Sequence, residues 1–249
     1  MMMIQALLLH WISFDHKIPS FYIGHHVTIY NKSNNMQIKN RTLYYFYDPM
    51  CSWCYAFEKS LLELQKQLHQ LLSFKPILGG LAPDATEPMS VETQSMVQHA
   101  WQQIEKNVPD MRFNFDFWTQ NIPLRSTYPA CRALLAAEQQ SPLQVESLRK
   151  NIQQAYYQEA KNPSLDAILI DCAAQSALNI EQFSRDLNST GIQRQLIEHI
   201  EFSRSLSVNS YPSLRLVLND EIYTIDISYT EVNSMLNQIN TLMDVHKSR

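Results

Sequence analysis

The chain reads as an α/β protein, with a single sheet assembled from two distant halves and a block of helices inserted between them. Three observations lead there. Strand character appears near residues 42–78 and again only after 212, while the whole stretch 90–206 carries helical periodicity. Each strand-bearing half also contains an amphipathic helix, so the halves can complete one helix-covered sheet. Glycine occurs only four times, too rarely for an all-β fold built on many tight turns.

Taken in order, Thr42–Tyr47 (TLYYFY) is β-branched, aromatic and apolar, as suits a buried strand. Asp48-Pro49 ends it, because the residue before proline avoids helix and proline cannot pair in a ladder. From Cys51 the pattern turns helical, with Phe57, Leu61, Leu64, Leu68 and Leu71 spaced by three and four and Lys59, Glu63, Lys66 and Gln67 opposite. Phe74–Leu78 reads as a second strand, stopped by Gly79-Gly80. Helices are expected over 90–106, 128–140, 142–160, 165–177 and 190–206, the third opening on a capping box from Ser141 to Gln144 with Pro142 at its first position. Ser213–Leu218 and Glu221–Ile227 flank Asn219-Asp220, a two-residue hairpin turn. A last amphipathic helix, 230–243, uses Val232, Met235, Leu236, Ile239 and Leu242.

Residues 1–40 are expected to be an extension outside the fold, with a start downstream of Met1 as one version of that expectation. Their apolar stretch, Ile4 to Phe14, has no Lys or Arg before it and is too short to span a bilayer as a helix. Without a convincing signal segment the expected compartment is the cytoplasm; the periplasm is the alternative if residues 1–35 act as such a segment. A net charge of −4 gives no basic footprint for nucleic acid.

Four cysteines are too few for a secreted disulfide framework. Cys131 and Cys172 stand singly in helical patterns among alanines and leucines, as small buried apolar residues do. Cys51 and Cys54 are different. They fall where the strand-ending Asp-Pro gives way to helix, so the first sulfur sits at a helix N-terminus, where unpaired N–H groups and the dipole favour thiolate. The second lies one turn behind it, within reach of a mixed disulfide on the first. A zinc half-site is the competing reading, and it lacks both a second Cys-x-x-Cys and a finger-like histidine pair. Chance proximity of two core cysteines is the other. The nearby charges, Asp48 and Glu58, would not favour a thiolate, so activation of Cys51 is expected to rest on the helix end. Far downstream, Val208–Leu214 (VNSYPSL) places Pro212 between a helix and a strand. This is a place for a cis bond, or for an ordinary trans proline opening an edge strand.

With FYDPMCSWCYAF, Gly79-Gly80-Leu81, STYPACRALLAA (126–137), IQQAYYQEAKN (152–162) and VNSYPSLRL (208–216) in this order, residues 42–243 resemble the DsbA family of thioredoxin-fold proteins, in the branch whose active site reads close to DPMCSWC. The resemblance implies a thioredoxin-like fold, residues 41–85 and 207–249, with an inserted helical domain over 86–206. It implies Cys51 as nucleophile, Cys54 as resolving cysteine and Pro212 as the cis-proline facing them, with Ser52, Trp53, Tyr211 and Pro212 lining the substrate. The activity implied is thiol–disulfide exchange or isomerisation, with protein or small-molecule thiols and disulfides and an unidentified redox partner as partners. No metal or resident cofactor is implied, and glutathione enters at most as co-substrate. The chain departs from the family in three ways. Ser207, Asn209 and Ser210 stand where glycine is usual, bulky Tyr211 precedes the proline and is expected to narrow or alter the groove, and Ser-Trp replaces the histidine-bearing dipeptide of strong oxidants. A glutathione-dependent transferase or isomerase of the kappa or 2-hydroxychromene-2-carboxylate type is the alternative. Such enzymes usually carry serine at the nucleophile and lack the second cysteine. A third reading is a chaperone-like binding protein without redox turnover.

Overall fold

A computed structural model describes residues 39–247. The extension expected at residues 1–40 therefore lies outside the described residues, save Lys39 and Asn40.

Strand β1 (Thr42–Tyr47) is followed by helix α1 (Ser52–Leu68) and strand β2 (Ser73–Leu78). Helices α2 (Val91–Asn107), α3 (Phe117–Gln120), α4 (Tyr128–Gln140), α5 (Val145–Tyr157), α6 (Asp166–Ala174), α7 (Ile180–Asp186) and α8 (Thr190–Ser205) come next. Strands β3 (Ser213–Leu218) and β4 (Glu221–Ile225) and helix α9 (Val232–Lys247) close the fold. The sheet order is β2-β1-β3-β4, with β1 parallel to β2 and antiparallel to β3. This is the mixed α/β thioredoxin-like architecture expected, with its helical insertion between β2 and β3.

All six residues of β1 are buried, because both faces of the sheet are covered. Leu43, Tyr45 and Tyr47 join Leu214, Leu216 and Leu218 in the main core. Tyr44 and Phe46 face the opposite way, against Phe202, Leu206 and Val208 from α8 and the segment after it. The continuous apolar run in the sequence is thus the mark of a central strand. At the hairpin, Asn219 and Asp220 take φ of 48° and 66°, the pair of positive angles that a two-residue turn matching strand twist requires. The insertion has its own aromatic centre, where fully buried Trp101 stacks on Phe113 at 4.9 Å and meets Tyr156 and Tyr157 edge-on.

Several local expectations need correction. Leu71 is exposed, because α1 ends at Leu68 and the following turn puts Leu72 inside instead. The capping box at Ser141 does not form. Ser141 closes α4 through its N–H to Ala137 O, Pro142–Gln144 is a 3₁₀ turn, and α5 begins at Val145. Helix α3, one turn long, is below the length at which periodicity shows. Helix α7 carried a readable signal, since Asn179 accepts the Gln182 N–H at 2.9 Å as its N-cap. Strand β4 stops at Ile225 rather than Ile227, and α9 runs later than expected, over Val232–Lys247.

Helix α8 is tied to the sheet by His199, whose Nδ1 accepts the Leu78 N–H at 3.1 Å. Only neutral imidazole can accept there, and burial pushes its pKa down to about 4. The unfolded chain binds this proton near pH 6.5, so stability is complete above that value and falls as pH drops toward 4. Chemical denaturation across this window is expected to show a loss of roughly 2–3 kcal/mol from this group. His199→Gln, which binds no proton, should remove that slope. Asp48, whose pKa is raised by burial, contributes with the opposite sign in both proteins and cancels from the difference.

Candidate functional site

The main chain turns at Asp48-Pro49 and delivers Cys51 to the N-cap of α1. There the Cys51 N–H donates to Asp48 O at 3.1 Å, and the Cys51 carbonyl accepts the first helical bond, from Tyr55 N. The sulfur itself fills the capping role: Cys51 Sγ accepts the Cys54 N–H at 3.4 Å, satisfying a donor that the helix start leaves free. No disulfide joins the two cysteines in this structure. Cys54 is 2% exposed and Cys51 6%, so what surface the pair retains belongs mainly to Cys51. Burial pushes the Cys54 thiol well up, and its hydrogen bond and proximity to Cys51 push it the same way.

The loop after α8 lies directly against this tip. Tyr211-Pro212 is a cis peptide, and the Cys51 thiol donates to Tyr211 O at 3.5 Å across 160 residues of sequence. The Tyr211 N–H donates to no backbone carbonyl among the described residues. The Tyr211 side chain turns toward the end of β2. Its hydroxyl donates to Gly79 O at 2.8 Å, and its ring lies so close to Gly79 that a Cβ there would stand 2.2 Å from it. Next to it, Gly80 has φ +59°. The Gly79-Gly80 pair therefore gives Tyr211 its seat and supplies a backbone angle that other residues resist.

Of the other residues expected to line the site, Ser52 is buried in the first turn. Trp53 is half-buried against Tyr229 at 5.0 Å, and Tyr229 O accepts from Ser60 Oγ at 2.7 Å. Trp53 thus packs on the loop between β4 and α9. Where the family usually has glycine, Ser207 holds φ 55°. It ends α8 in a Schellman arrangement, with Val208 N–H to Ser203 O and Ser207 N–H to Arg204 O, both at 3.0 Å.

Asp48 has no positive role in the site on sequence grounds, and the structure supplies one. Its carboxylate is fully buried and accepts from Met50 N at 2.8 Å, Leu81 N at 2.7 Å, Thr127 Oγ1 at 2.6 Å and Cys131 Sγ at 3.5 Å. Cys131 is buried as expected, but it is a hydrogen-bond donor to the site rather than mere filler. The position of Asp48, three residues before Cys51, was a usable signal. Its partners Thr127 and Cys131, some 80 residues away, were not. Glu58, the other nearby acid, is paired with Arg149 at 2.9 Å.

A family model described as Thioredoxin matches residues 44–237. The chain belongs to the thioredoxin family. Among solved structures it resembles a Nitrosomonas europaea protein named as a candidate disulfide isomerase, with a TM-score of 0.72, 21% identity and coverage of 84% of this chain and 100% of that one. The cytosolic disulfide reductase DsbM of Pseudomonas aeruginosa follows at 0.64 and 20%, covering 81% and 98%. These likenesses establish a shared DsbA-like fold. Among curated proteins, the ClpXP adapter protein SpxH of Halalkalibacterium halodurans is 26% identical over 72% of this chain and 59% of its own length. The Bacillus subtilis SpxH is 24% identical, over 69% and 56%. The chain thus spans less than two thirds of the length of these relatives.

Gly79→Ala is expected to push the Tyr211 ring away and with it the carbonyl that meets Cys51. Denaturation should show a loss of about 1–3 kcal/mol. In a double-mutant cycle with Tyr211→Ala the two losses should fall short of additive. Ser207→Gly should raise stability by about 0.5–1 kcal/mol, since glycine adopts the left-handed angle at no steric cost.

Proposed function

We propose that the protein is a thiol–disulfide oxidoreductase working through Cys51 and Cys54. The observation that carries this reading is the contact of Cys51 Sγ with the Tyr211 carbonyl beside cis-Pro212, with Cys54 one turn behind. A substrate disulfide entering this groove would be attacked by the Cys51 thiolate. One substrate thiol leaves, and a mixed disulfide forms on Cys51. Cys54 then attacks Cys51 and releases the second thiol. Ser52, Trp53, Tyr211 and Pro212 are assigned to the substrate-facing surface, and the helical insertion, 86–206, to the wall opposite.

Glutathione is the small thiol we assign as co-substrate, and DsbM, which shares the fold, is described with GSH. The glutathione-transferase alternative is less well supported, because Cys54 would then have no task. A cytoplasmic setting, where the dithiol rests mostly reduced, fits the naming of DsbM as cytosolic. No helix among the described residues is long and apolar enough to cross a membrane.

A second reading, that the chain presents a client protein to the ClpXP protease, has specific support in the adapter names of its curated relatives. The two readings part on their dependence on thiols. Insulin-disulfide reduction by Cys51→Ser should fall by about two orders of magnitude or more, and Cys54→Ser should accumulate a mixed disulfide with glutathione, visible by intact-mass spectrometry. Undiminished reduction by Cys51→Ser would defeat the oxidoreductase reading. Client degradation by ClpXP that is stimulated equally by the wild type and the double serine variant would favour the adapter.

A further inference from the structure

Arg215 puts a cation in the middle of an otherwise apolar strand. In β3 (SLRLVL) it lies opposite Tyr44, on the face whose members Tyr44, Phe46 and Val217 pack against α8. An apolar side chain would suit that layer at less cost. Among the described residues Arg215 forms no ion pair with a carboxylate. Burial pushes its pKa down from the ordinary value, although the guanidinium keeps its charge at neutral pH. Its partners are carbonyls. Nε donates to Leu206 O at 3.3 Å, Nη2 to Ser207 O at 3.2 Å and Nη1 to Leu214 O at 3.0 Å.

These acceptors lie on the two stems of the cis-proline loop. Leu206 and Ser207 end α8 and precede Pro212, while Leu214 follows it in β3. The first two carbonyls belong to a helix end, which leaves such groups without helical partners. Ser207 also holds φ 55°, an angle that a residue other than glycine keeps only when its surroundings fix it. Ser213, on the same face of β3 as Arg215, donates its hydroxyl to Ser210 O at 2.7 Å. Two alternate residues of β3 thus reach back and occupy the carbonyls of Leu206, Ser207 and Ser210. The Tyr211 carbonyl is taken by neither, and it meets Cys51 Sγ at 3.5 Å. The Tyr211 hydroxyl on Gly79 O fixes the ring; the guanidinium fixes the chain on either side of it.

We propose that Arg215 is a positioning residue whose single guanidinium joins the two stems of the proline loop and holds the Tyr211 backbone within reach of Cys51. It acts through the loop and not on the sulfurs. The proposal rests on the oxidoreductase reading and adds to it the residue that places the substrate-facing main chain. A disulfide carried on an extended peptide needs that main chain in place, because its amides pair with the Tyr211 N–H and carbonyl. A small disulfide without amides does not.

The test reacts the reduced full chain with one disulfide of each kind, a disulfide-linked extended peptide and the aromatic disulfide dithiobis(nitrobenzoate). Arg215→Met keeps the reach of the side chain and removes its donors. It should slow the peptide reaction by about tenfold, as the loss of about one hydrogen bond does, and the aromatic reaction by less than about twofold. Arg215→Lys keeps the charge, but one ammonium cannot span both stems, so the peptide reaction should slow by about threefold. A folded Arg215→Met protein with the wild-type peptide rate overturns the proposal. So does an equal loss with both disulfides, which is what a merely structural role gives. If Arg215→Met does not fold, Arg215→Lys decides: a wild-type peptide rate, or an equal loss with both, overturns it. A wild-type chain that closes the Cys51–Cys54 disulfide with neither reagent sinks the oxidoreductase reading and this one together. A wild type that reduces the peptide beside an unaltered Arg215→Met sinks this one alone.

Discussion

The constraint on which the site depends is the register between β1 and β3. Phe46 pairs with Ser213 and Tyr45 with Leu214. Continuing that antiparallel register past the end of β1 sets Tyr47 opposite Pro212 and Asp48 opposite Tyr211. The proline loop therefore arrives beside Cys51 as a consequence of strand pairing. The pairing is itself enforced by burial. Because side chains alternate between faces, a slip of one residue would turn Tyr44 and Phe46 out of the α8 layer and Leu43, Tyr45 and Tyr47 out of the main core. With both faces of β1 covered, such a slip would exchange the two sets of side chains between layers whose partners differ.

From that anchor the remaining contacts are short-range. Gly79 follows β2, donates its N–H to Tyr47 O at 2.6 Å, and accepts the Tyr211 hydroxyl. The ends of β1 and β2 and the segment leading into β3 are thus knotted at one point, over which α1 begins. Asp48 extends the knot into the insertion, since Thr127 sits at the start of α4 and Leu81 follows β2. The insertion is therefore hydrogen-bonded to the residue three places before the nucleophile. Arg149 reaches Glu58 from α5 and repeats the attachment one turn further along α1.

What the sequence disclosed, and what it withheld, follows the range of the interactions. The buried strands, the dithiol at a helix start and the Asn219-Asp220 turn are written in adjacent residues, and they were legible. The loop at Tyr211-Pro212 was legible as a motif, but as geometry only through its resemblance to a family. Leu71 was misplaced because a periodic pattern does not announce where its helix ends, and Ser141 because it is spent on closing α4. The side-chain donors to Asp48 could not be read at all. Thr127 and Cys131 lie 79 and 83 residues downstream, and nothing in an apolar helical pattern marks one cysteine as a donor to a distant carboxylate. Tyr211 shows the same limit in reverse. Its bulk suggested a narrowed or altered groove, and the seat that the missing side chain at Gly79, 132 residues away, provides for the ring was not readable beside it.

The same groove could serve either exchange or adapter work, because an extended segment laid beside Tyr211 and Pro212 needs no chemistry to be bound. The energetics of the site separate the two. Burying a carboxylate without a cation is costly, and four donors offset that cost only in part. Keeping a second thiol buried behind the first adds nothing to a surface that only has to hold a client. An adapter built on this scaffold has no use for the buried sulfur of Cys54. A dithiol enzyme could not give up Cys54, because the second sulfur is what releases a mixed disulfide from the first. The second thiol, held one helical turn behind Cys51, is the physical reason to place exchange chemistry first and to regard client binding as a use the same surface can share.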